Sequence, residues 1–268
     1  MQQLRIFSAA IFVFISFAVA GQTKEAQMNS ADWLKMISAN AAGKPAHSGY
    51  ALYFSPVGDI NVPYLVYVPK SYDPAKPTSV VVFLHGAILA RESFQYKDPA
   101  IADEPIFSIA DTFNTLVIFP FSKSGFAWPG QQAACENIIT IIGQVEEHYN
   151  VDKKRVYIGG ISMGGIATFW FIDNKPNVFA GFYTFSALPR SADFIHITKA
   201  KPLYSMNAKD DQTFSYNEVH TLYEQHKKEA PGWDFQTVES GGHRFIYANG
   251  GTRYVKSLLG NLLKPAKN

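Results

Sequence analysis

A serine framed by glycines is the residue in this sequence best suited to nucleophilic chemistry. The segment GISMG at residues 160–164 fits the pattern G-x-S-x-G and follows directly on the apolar run RVYIG at residues 155–159. This pattern requires a tight turn between a strand and a helix, in which small residues let the backbone fold closely and the serine hydroxyl becomes exposed. Glycines there could instead serve only helix–sheet packing, but strand, turn and helix all fall where the motif needs them. We therefore predict that Ser162 is a nucleophile.

Serine needs a base that takes its proton, and histidine is suited to that task near neutral pH. Where a serine occupies such a turn, the acid and then the histidine follow it along the chain, the histidine after the last strand. His243 stands between a predicted strand at 234–239 and a predicted helix at 252–263. Three other histidines follow Ser162, but His196 comes before the strand that must precede the acid, and the remaining two lie in a predicted helix, His220 and His226. His243 is the predicted base.

An acidic side chain should hold the imidazole in one tautomer, and it should leave the end of the preceding strand. Two neighbouring carboxylates follow the predicted strand at 202–207, Asp210 and Asp211. Aspartate at such a place often only caps a helix or stabilises a turn. The triad needs one of the two, and the residue pattern alone leaves both open.

The negative oxygen formed during acyl transfer needs two amide donors. One is predicted to be the N–H of Met163, directly after the nucleophile, and the other to come from the loop after the strand at 79–84, from Ala87 or Ile88. In that loop His85 is predicted to brace the backbone. Trp128, after the strand at 115–119, either lines the substrate pocket or covers core, and we assign it to substrate binding.

Buried strands alternating with helices are predicted to hold these residues. The run SVVVFL at 79–84 is apolar throughout, which is typical of a parallel strand covered on both faces. Apolar residues at 138, 141, 142 and 145 share one helix face. The pattern favours an α/β fold with an eight-stranded, mostly parallel sheet and helices on both faces. Its predicted strands are 50–55, 62–68, 79–84, 115–119, 155–159, 180–185, 202–207 and 234–239, and its later helices are 134–149, 166–172, 216–228 and 252–263.

Composition narrows the function classes. The chain has 268 residues, 47% of them hydrophobic and 17% charged, with a formal net charge of +2, so the clustered basic residues of a nucleic-acid-binding protein are not indicated. The sequence has no metal-ligand spacing and no glycine-rich phosphate loop, and we predict no cofactor and no metal. Cys135 is the only cysteine, which precludes an internal disulfide; it is predicted to be a small core residue.

Residues 1–20 are predicted to be an export signal. Arg5 precedes an apolar run at 6–19, and Ala18-Val19-Ala20 offers the small residues that a signal peptidase needs. The run is shorter than the roughly 20 residues that cross a bilayer, so we expect cleavage after Ala20, no stable membrane anchor, and a secreted or periplasmic protein. Residues 21–48 are predicted to be an N-terminal extension and residues 49–268 a single catalytic domain.

Three segments give the sequence a family resemblance: FLHG at 83–86, RVYIGGISMGG at 155–165 and GGH at 241–243. Over roughly residues 60–263 the chain resembles the α/β-hydrolase superfamily, and within it the bacterial secreted esterases of the feruloyl, acetyl-xylan and polyhydroxybutyrate depolymerase group. In these families the acid often lies in a segment H-G-x-x-D-x-x-V. Laid on residues 206–210, that segment places the acid on Asp210, although Met206 and Asn207 replace H-G and Thr213 stands where Val is usual.

The resemblance implies an α/β-hydrolase fold and a serine carboxylesterase that works through an acyl-enzyme without a cofactor. Its implied substrate is a small-molecule or polysaccharide-linked ester, for example an acyl group on carbohydrate. A peptidase or lipase with the same triad is one alternative, and a non-catalytic binding protein on this fold is another. The sequence indicates neither the acyl and alcohol groups nor the oligomeric state.

Overall fold

A computed structural model describes residues 28–39, 47–89, 91–189 and 193–263. The predicted export signal at 1–20 and half of the predicted extension at 21–48 lie outside these residues. None of the helices in the described ranges is long and apolar enough to cross a membrane.

The described residues form one eight-stranded sheet, as the sequence predicts, with the strand order β1-β2-β4-β3-β5-β6-β7-β8. The first two strands form an antiparallel hairpin, and β2 also runs antiparallel to β4, whereas every pair from β4 to β8 is parallel. The strands are β1 (Gly49–Val57), β2 (Ile60–Val68), β3 (Thr78–Leu84), β4 (Thr115–Pro120), β5 (Val151–Ile161), β6 (Gly181–Phe185), β7 (Leu203–Ala208) and β8 (Trp233–Val238).

Six α-helices accompany the sheet in the described residues. Four of them match predicted helices within three residues at each end, and the short α2 was not predicted from the sequence. The helices are α1 (Ser30–Ala39), α2 (Ser108–Phe113), α3 (Gln132–His148), α4 (Met163–Asn174), α5 (Tyr216–His226) and α6 (Thr252–Leu263).

The sheet separates two hydrophobic clusters, one on each face. Every residue of β3 is buried, and alternate side chains enter opposite clusters: Val80 and Val82 contact the cluster formed with α3 and α4, while Val81 and Phe83 contact the cluster formed with α1, α2 and α6. Burial on both faces is the reason that this strand is apolar throughout rather than alternating. Cys135 on α3 is buried, as predicted.

The helix α1 packs within this core although it falls in the predicted extension. Trp33 and Ile37 are fully buried, and the Trp33 indole N–H donates to the Tyr96 carbonyl oxygen at 2.8 Å. The Trp33 ring also meets the ring of Tyr50 on β1 edge to face. The chain therefore contributes to the packed core before residue 49, while the division into extension and catalytic domain stays a prediction.

Because the central strands are parallel, their carboxyl ends meet at one edge of the sheet. The segments that follow β3, β5, β7 and β8 start from that edge. In open α/β sheets this edge is where ligands bind, and these four segments carry the residues predicted to form the triad and the oxyanion hole.

Candidate active site

Ser162 occupies the turn between the last residue of β5 and the first residue of α4. Its backbone has φ 56° and ψ −119°. Residues other than glycine rarely adopt this conformation, and where they do they are concentrated at functional sites. Two backbone hydrogen bonds hold it: its N–H donates to the Phe185 carbonyl at 3.0 Å, and its carbonyl accepts from the Ile166 N–H at 2.8 Å. The turn is thus anchored to β6 on one side and to the helix on the other.

The glycines of the turn allow β3 to approach it. A Cβ atom on Gly160 would lie 2.1 Å from the Leu84 carbonyl oxygen, and one on Gly164 would lie 1.8 Å from the same oxygen. These distances are far below van der Waals contact, so side chains at both positions are sterically excluded. The G-x-S-x-G pattern therefore has a packing requirement as well as its link to the serine.

His243 lies against the serine hydroxyl. Its Nε2 is 2.9 Å from Ser162 Oγ, across 81 positions of sequence. The histidine lies in a short 3₁₀ helix, Gly242–Tyr247, that follows β8, between the strand and the helix that the sequence predicts. The imidazole is 19% exposed, and the Phe214 ring packs edge to face against it. The structure thus brings the predicted nucleophile and the predicted base within hydrogen-bond distance.

Asp211 is the carboxylate that reaches the imidazole. Its Oδ2 is 2.8 Å from His243 Nδ1, and its Oδ1 accepts from the N–H groups of Thr213 at 2.7 Å and Phe214 at 3.0 Å. Because a carboxylate can only accept, Nδ1 carries the ring proton and Nε2 is left to accept from the serine. Burial of the Asp211 side chain opposes its ionisation, but the hydrogen bonds from His243, Phe214 and Thr213 outweigh that effect and hold its pKa below the ordinary value.

The assignment of the imidazole partner to Asp210 is therefore wrong. The exposed Asp210 side chain points to the backbone before the histidine: its Oδ2 accepts from the Gly241 N–H at 3.0 Å and its Oδ1 from the Gly242 N–H at 2.8 Å. The two amides hold the pKa of Asp210 below its usual range. The physical reason is the tight turn after β7, closed by a bond from the Asp211 N–H to the Ala208 carbonyl, after which successive side chains diverge.

A signal for Asp211 was present in the sequence. Shifting the segment H-G-x-x-D-x-x-V by one position puts Ala208 at the glycine, Asp211 at the acid and Phe214 at the final apolar position. The large apolar residue three positions after the acid is the one that packs against the imidazole. Phe214 is also a site residue that the sequence analysis did not single out.

The loop after β3 runs beside the nucleophile. A Cβ atom on Gly86 would lie 3.0 Å from Ser162 Cβ and 3.7 Å from Ser162 Oγ, so the backbone is as close to the serine as a residue without a side chain allows. Ala87, next along, has φ +54°. Met163 opens α4, where the first amides lack partners within the helix. Both predicted donors thus belong to segments next to Ser162, and their role toward an oxyanion stays a prediction.

His85 braces that loop through hydrogen bonds at both ring nitrogens, as the sequence predicts. The buried ring accepts from the Ser122 N–H through Nε2 at 3.1 Å, so Nδ1 carries the proton and donates to the Gly86 carbonyl at 2.9 Å. Burial, reinforced by the positive charge of Arg91, lowers the pKa of His85 to about 3 against the opposing bond to Gly86. The ring is therefore neutral in the folded protein near neutral pH.

Trp128 is part of the core rather than of a pocket lining. It is only 2% exposed, and its ring contacts the His85 ring edge to face with centroids 4.9 Å apart. The prediction that Trp128 contacts substrate is wrong, because apolar surface enclosed on all sides cannot meet a ligand. The alternative reading, a tryptophan that covers core, is the one the structure supports. Within the described ranges no group of three or more His, Cys, Asp or Glu side chains is placed to hold a metal ion.

The strand order, the serine at the turn after β5, and the chain order of serine, acid and histidine define an α/β-hydrolase fold. Solved structures share it. The S-formylglutathione hydrolase FrmB from Staphylococcus aureus is 17% identical, with a TM-score of 0.64 over 81% of this chain and 97% of that one. The ferulic acid esterase AmCE1/Fae1A from Anaeromyces mucronatus is 16% identical, with a TM-score of 0.58 over 78% and 88%. At these identities the likeness concerns the fold alone.

The family follows from sequence. The model of the Dienelactone hydrolase family matches residues 124–258, just over half of the chain, and the chain belongs to that family. It is also similar to the bifunctional acetylxylan esterase/xylanase XynS20E of Neocallimastix patriciarum, 27% identical over 158 residues, which are 58% of this chain and 22% of that protein. Acetylxylan esterase A of Emericella nidulans is 26% identical over 139 residues, 48% of this chain and 43% of that protein. The chain spans less than half the length of both relatives.

The close approach of β3 to the turn predicts that Gly164→Ala is strongly destabilising. A methyl group 1.8 Å from the Leu84 carbonyl oxygen must displace β3 or the helix start, which we expect to lower the free energy of unfolding by about 3 kcal/mol or more. Urea unfolding measures it. The matched control is Gly143→Ala on α3, where a Cβ meets nothing within 4 Å and where we expect a gain of about 0.5–1 kcal/mol. Equal effects of the two changes would contradict the packing argument.

The buried His85 predicts a loss of stability in acid. Between an unfolded-state pKa of about 6.5 and a folded-state pKa of about 3, the unfolded chain binds a proton that the folded chain does not. Unfolding free energy should therefore fall by about 1.4 kcal/mol per pH unit from this residue alone as pH decreases from 6.5. In His85→Gln, whose amide oxygen can still accept from Ser122, that part of the slope should vanish in urea titrations at pH 7, 6 and 5. Parallel slopes for the two proteins would refute the neutral-histidine account.

Proposed function

We propose that this protein is a serine carboxylesterase that hydrolyses carboxylic esters through an acyl-enzyme. The observation that carries the proposal is the chain of contacts Ser162 Oγ–His243 Nε2, 2.9 Å, and His243 Nδ1–Asp211 Oδ2, 2.8 Å. A nucleophile, a base in reach of it and an acid that orients the base form the arrangement required for acyl transfer by serine.

In the first half-reaction His243 Nε2 accepts the proton of Ser162 as Oγ attacks the ester carbonyl. The imidazolium that forms is stabilised by the Asp211 carboxylate, which is fully shielded from solvent and whose pKa is below the ordinary value. The proton then passes to the leaving alcohol as the tetrahedral intermediate collapses to the acyl-enzyme. In the second half-reaction water, deprotonated by His243, releases the acid and restores the hydroxyl.

The developing negative oxygen is proposed to bind between the N–H groups of Met163 and Ala87. The N–H of Met163 lies at the start of α4, where the helix dipole also favours negative charge. The N–H of Ala87 follows Gly86, whose backbone lies against Ser162. Donors fixed in this way before the reaction need no reorganisation when the charge develops.

The substrate class is proposed from the comparisons. Membership of the Dienelactone hydrolase family supports hydrolysis of an ester bond, and the similarity to two acetylxylan esterases favours acyl groups carried by carbohydrate. Peptide or lipid hydrolysis on the same triad, and ligand binding without turnover, are the alternatives. The apolar run at 6–19, with the small residues Ala18-Val19-Ala20 at its end, supports action outside the cytoplasm.

Ser162→Ala should reduce kcat for p-nitrophenyl acetate by about 10³-fold or more, because the attacking atom is removed. Asp211→Asn should reduce kcat by about 10³–10⁴-fold, since an amide no longer fixes the Nδ1–H tautomer. Steady-state kinetics and labelling by a fluorophosphonate probe measure both effects. Thermal unfolding serves as the control for folding. Retained turnover in folded Ser162→Ala protein, or a wild-type protein that the probe does not label, would remove the proposal.

A panel of esters and amides distinguishes the alternatives. Acetyl, butyryl and feruloyl esters, acetylated xylan oligomers and a peptide anilide are offered to the purified protein, with Ser162→Ala as the blank. We expect the highest kcat/KM for short acyl esters and deacetylation of the oligomers. Faster cleavage of the anilide would indicate a peptidase instead. Labelling by the probe without turnover of any ester would support a reactive Ser162 but contradict ester hydrolysis.

A further inference from the structure

Asp210 is hydrogen-bonded to the backbone directly before His243, the proposed base. Its carboxylate receives the N–H groups of two consecutive residues, Gly241 at 3.0 Å and Gly242 at 2.8 Å, immediately before His243. A carboxylate that accepts two adjacent amides fixes the orientation of the peptide between them as well as its position. Nothing in the proton-transfer steps above uses this side chain.

The Gly241–Gly242 segment needs a restraint, because both residues are conformationally free. Gly241 has φ +129° and Gly242 has φ +62°, conformations available to glycine at little energy and therefore easily exchanged for others. A rotation at either residue displaces the His243 ring from Ser162 Oγ. The Asp210 carboxylate accepts a hydrogen bond from each of these two residues and so restrains both.

The position of Asp210 along the chain adds to the argument. It directly precedes Asp211, which is hydrogen-bonded to the His243 ring. The Asp210–Asp211 dipeptide therefore binds both the histidine ring and the backbone before it. A third bond, from the Lys209 N–H to the Val238 carbonyl at 2.9 Å, ties the same segment to the end of β8. Hydrogen bonds from Lys209, Asp210 and Asp211 thus connect the end of β7 to the segment that runs from the end of β8 to His243.

We propose that Asp210 is a positioning residue for His243, which sets the imidazole at its distance from Ser162 by fixing the Gly241–Gly242 peptide. The inference rests on the proposed function for its effect on turnover, but its structural part is measurable without turnover. A displacement of about 1 Å of a catalytic group lowers the rate by roughly 10²-fold, which sets the size of the expected effect.

The test compares Asp210→Ala, Asp210→Asn and Glu239→Gln. Alanine removes both acceptors, and we expect kcat for p-nitrophenyl acetate to fall about 10²-fold with KM within twofold. Asparagine keeps one acceptor, and we expect about a 10-fold fall. Glu239→Gln is the matched control: it breaks the neighbouring exposed ion pair with Lys209, 2.9 Å, and should leave kcat within twofold. Hydrogen exchange of the amides at 241–243 and the Nδ1–H resonance of His243 are recorded for each protein.

Faster exchange at 241–243, loss of the resonance and a graded fall in kcat support the proposal. Unchanged exchange, resonance and kcat in Asp210→Ala overturn it. The proposal is also overturned if the Glu239→Gln control loses thermal stability and shows the same changes in kcat and KM as Asp210→Ala. That result would mean that both side chains only support the loop in general. If wild type hydrolyses no ester but Asp210→Ala still frees the amides and loses the resonance, the proposed function fails while the positioning role stands.

Discussion

The hydrogen bond between Ser162 Oγ and His243 Nε2 joins two groups 81 residues apart. The distance between these two atoms depends on how the intervening strands of the sheet are placed. The serine is fixed by the turn after β5, which is bonded to β6 and packed against β3. The histidine follows β8, three strands away in the sheet order. The register of β5 through β8 therefore sets the distance between Ser162 and His243. A slip by one residue in any of these strand pairs would flip side chains to the other face of the sheet and separate the two residues.

The two neighbouring aspartates show how one short turn supplies two kinds of electrostatic support. Asp211 has no exposed side-chain surface, and burying a carboxylate is unfavourable unless its oxygens are satisfied. Three donors satisfy it, from His243, Thr213 and Phe214, and its charge can then stabilise an imidazolium in a place where water does not screen it. Asp210 remains in solvent, where a charge is well hydrated, and it acts through geometry instead. The contrast explains why the two residues cannot exchange roles although they are chemically identical.

The sequence was sufficient for those features that depend on periodicity. Continuous apolar runs predicted the buried strands, such as β3, and the helix spacing predicted α3, because burial on both faces or on one stripe dictates residue type. It was insufficient where the direction of one side chain decides. Asp210 and Asp211 follow the same strand, and only the turn closed at Ala208 determines which carboxylate faces the ring. Trp128 is similar, since an aromatic residue after a strand suits a pocket and a core equally well until its 2% exposure is known.

The matched family region also divides the site physically. Residues 124–258 contain Ser162, both aspartates and His243, whereas the loop after β3, with Gly86 and Ala87, precedes this region. The three residues of the proposed triad thus lie within the matched region, while the second proposed oxyanion donor is contributed by a segment outside the match. The two parts meet where Gly86 lies against Ser162 and where Gly160 and Gly164 approach the Leu84 carbonyl. His85, directly between Leu84 and Gly86, is neutral and hydrogen-bonded at both ring nitrogens. This loop is therefore held by contacts whose charge does not change near neutral pH. The proposed N–H donors to the negative oxygen can therefore stay fixed next to the groups proposed to exchange a proton.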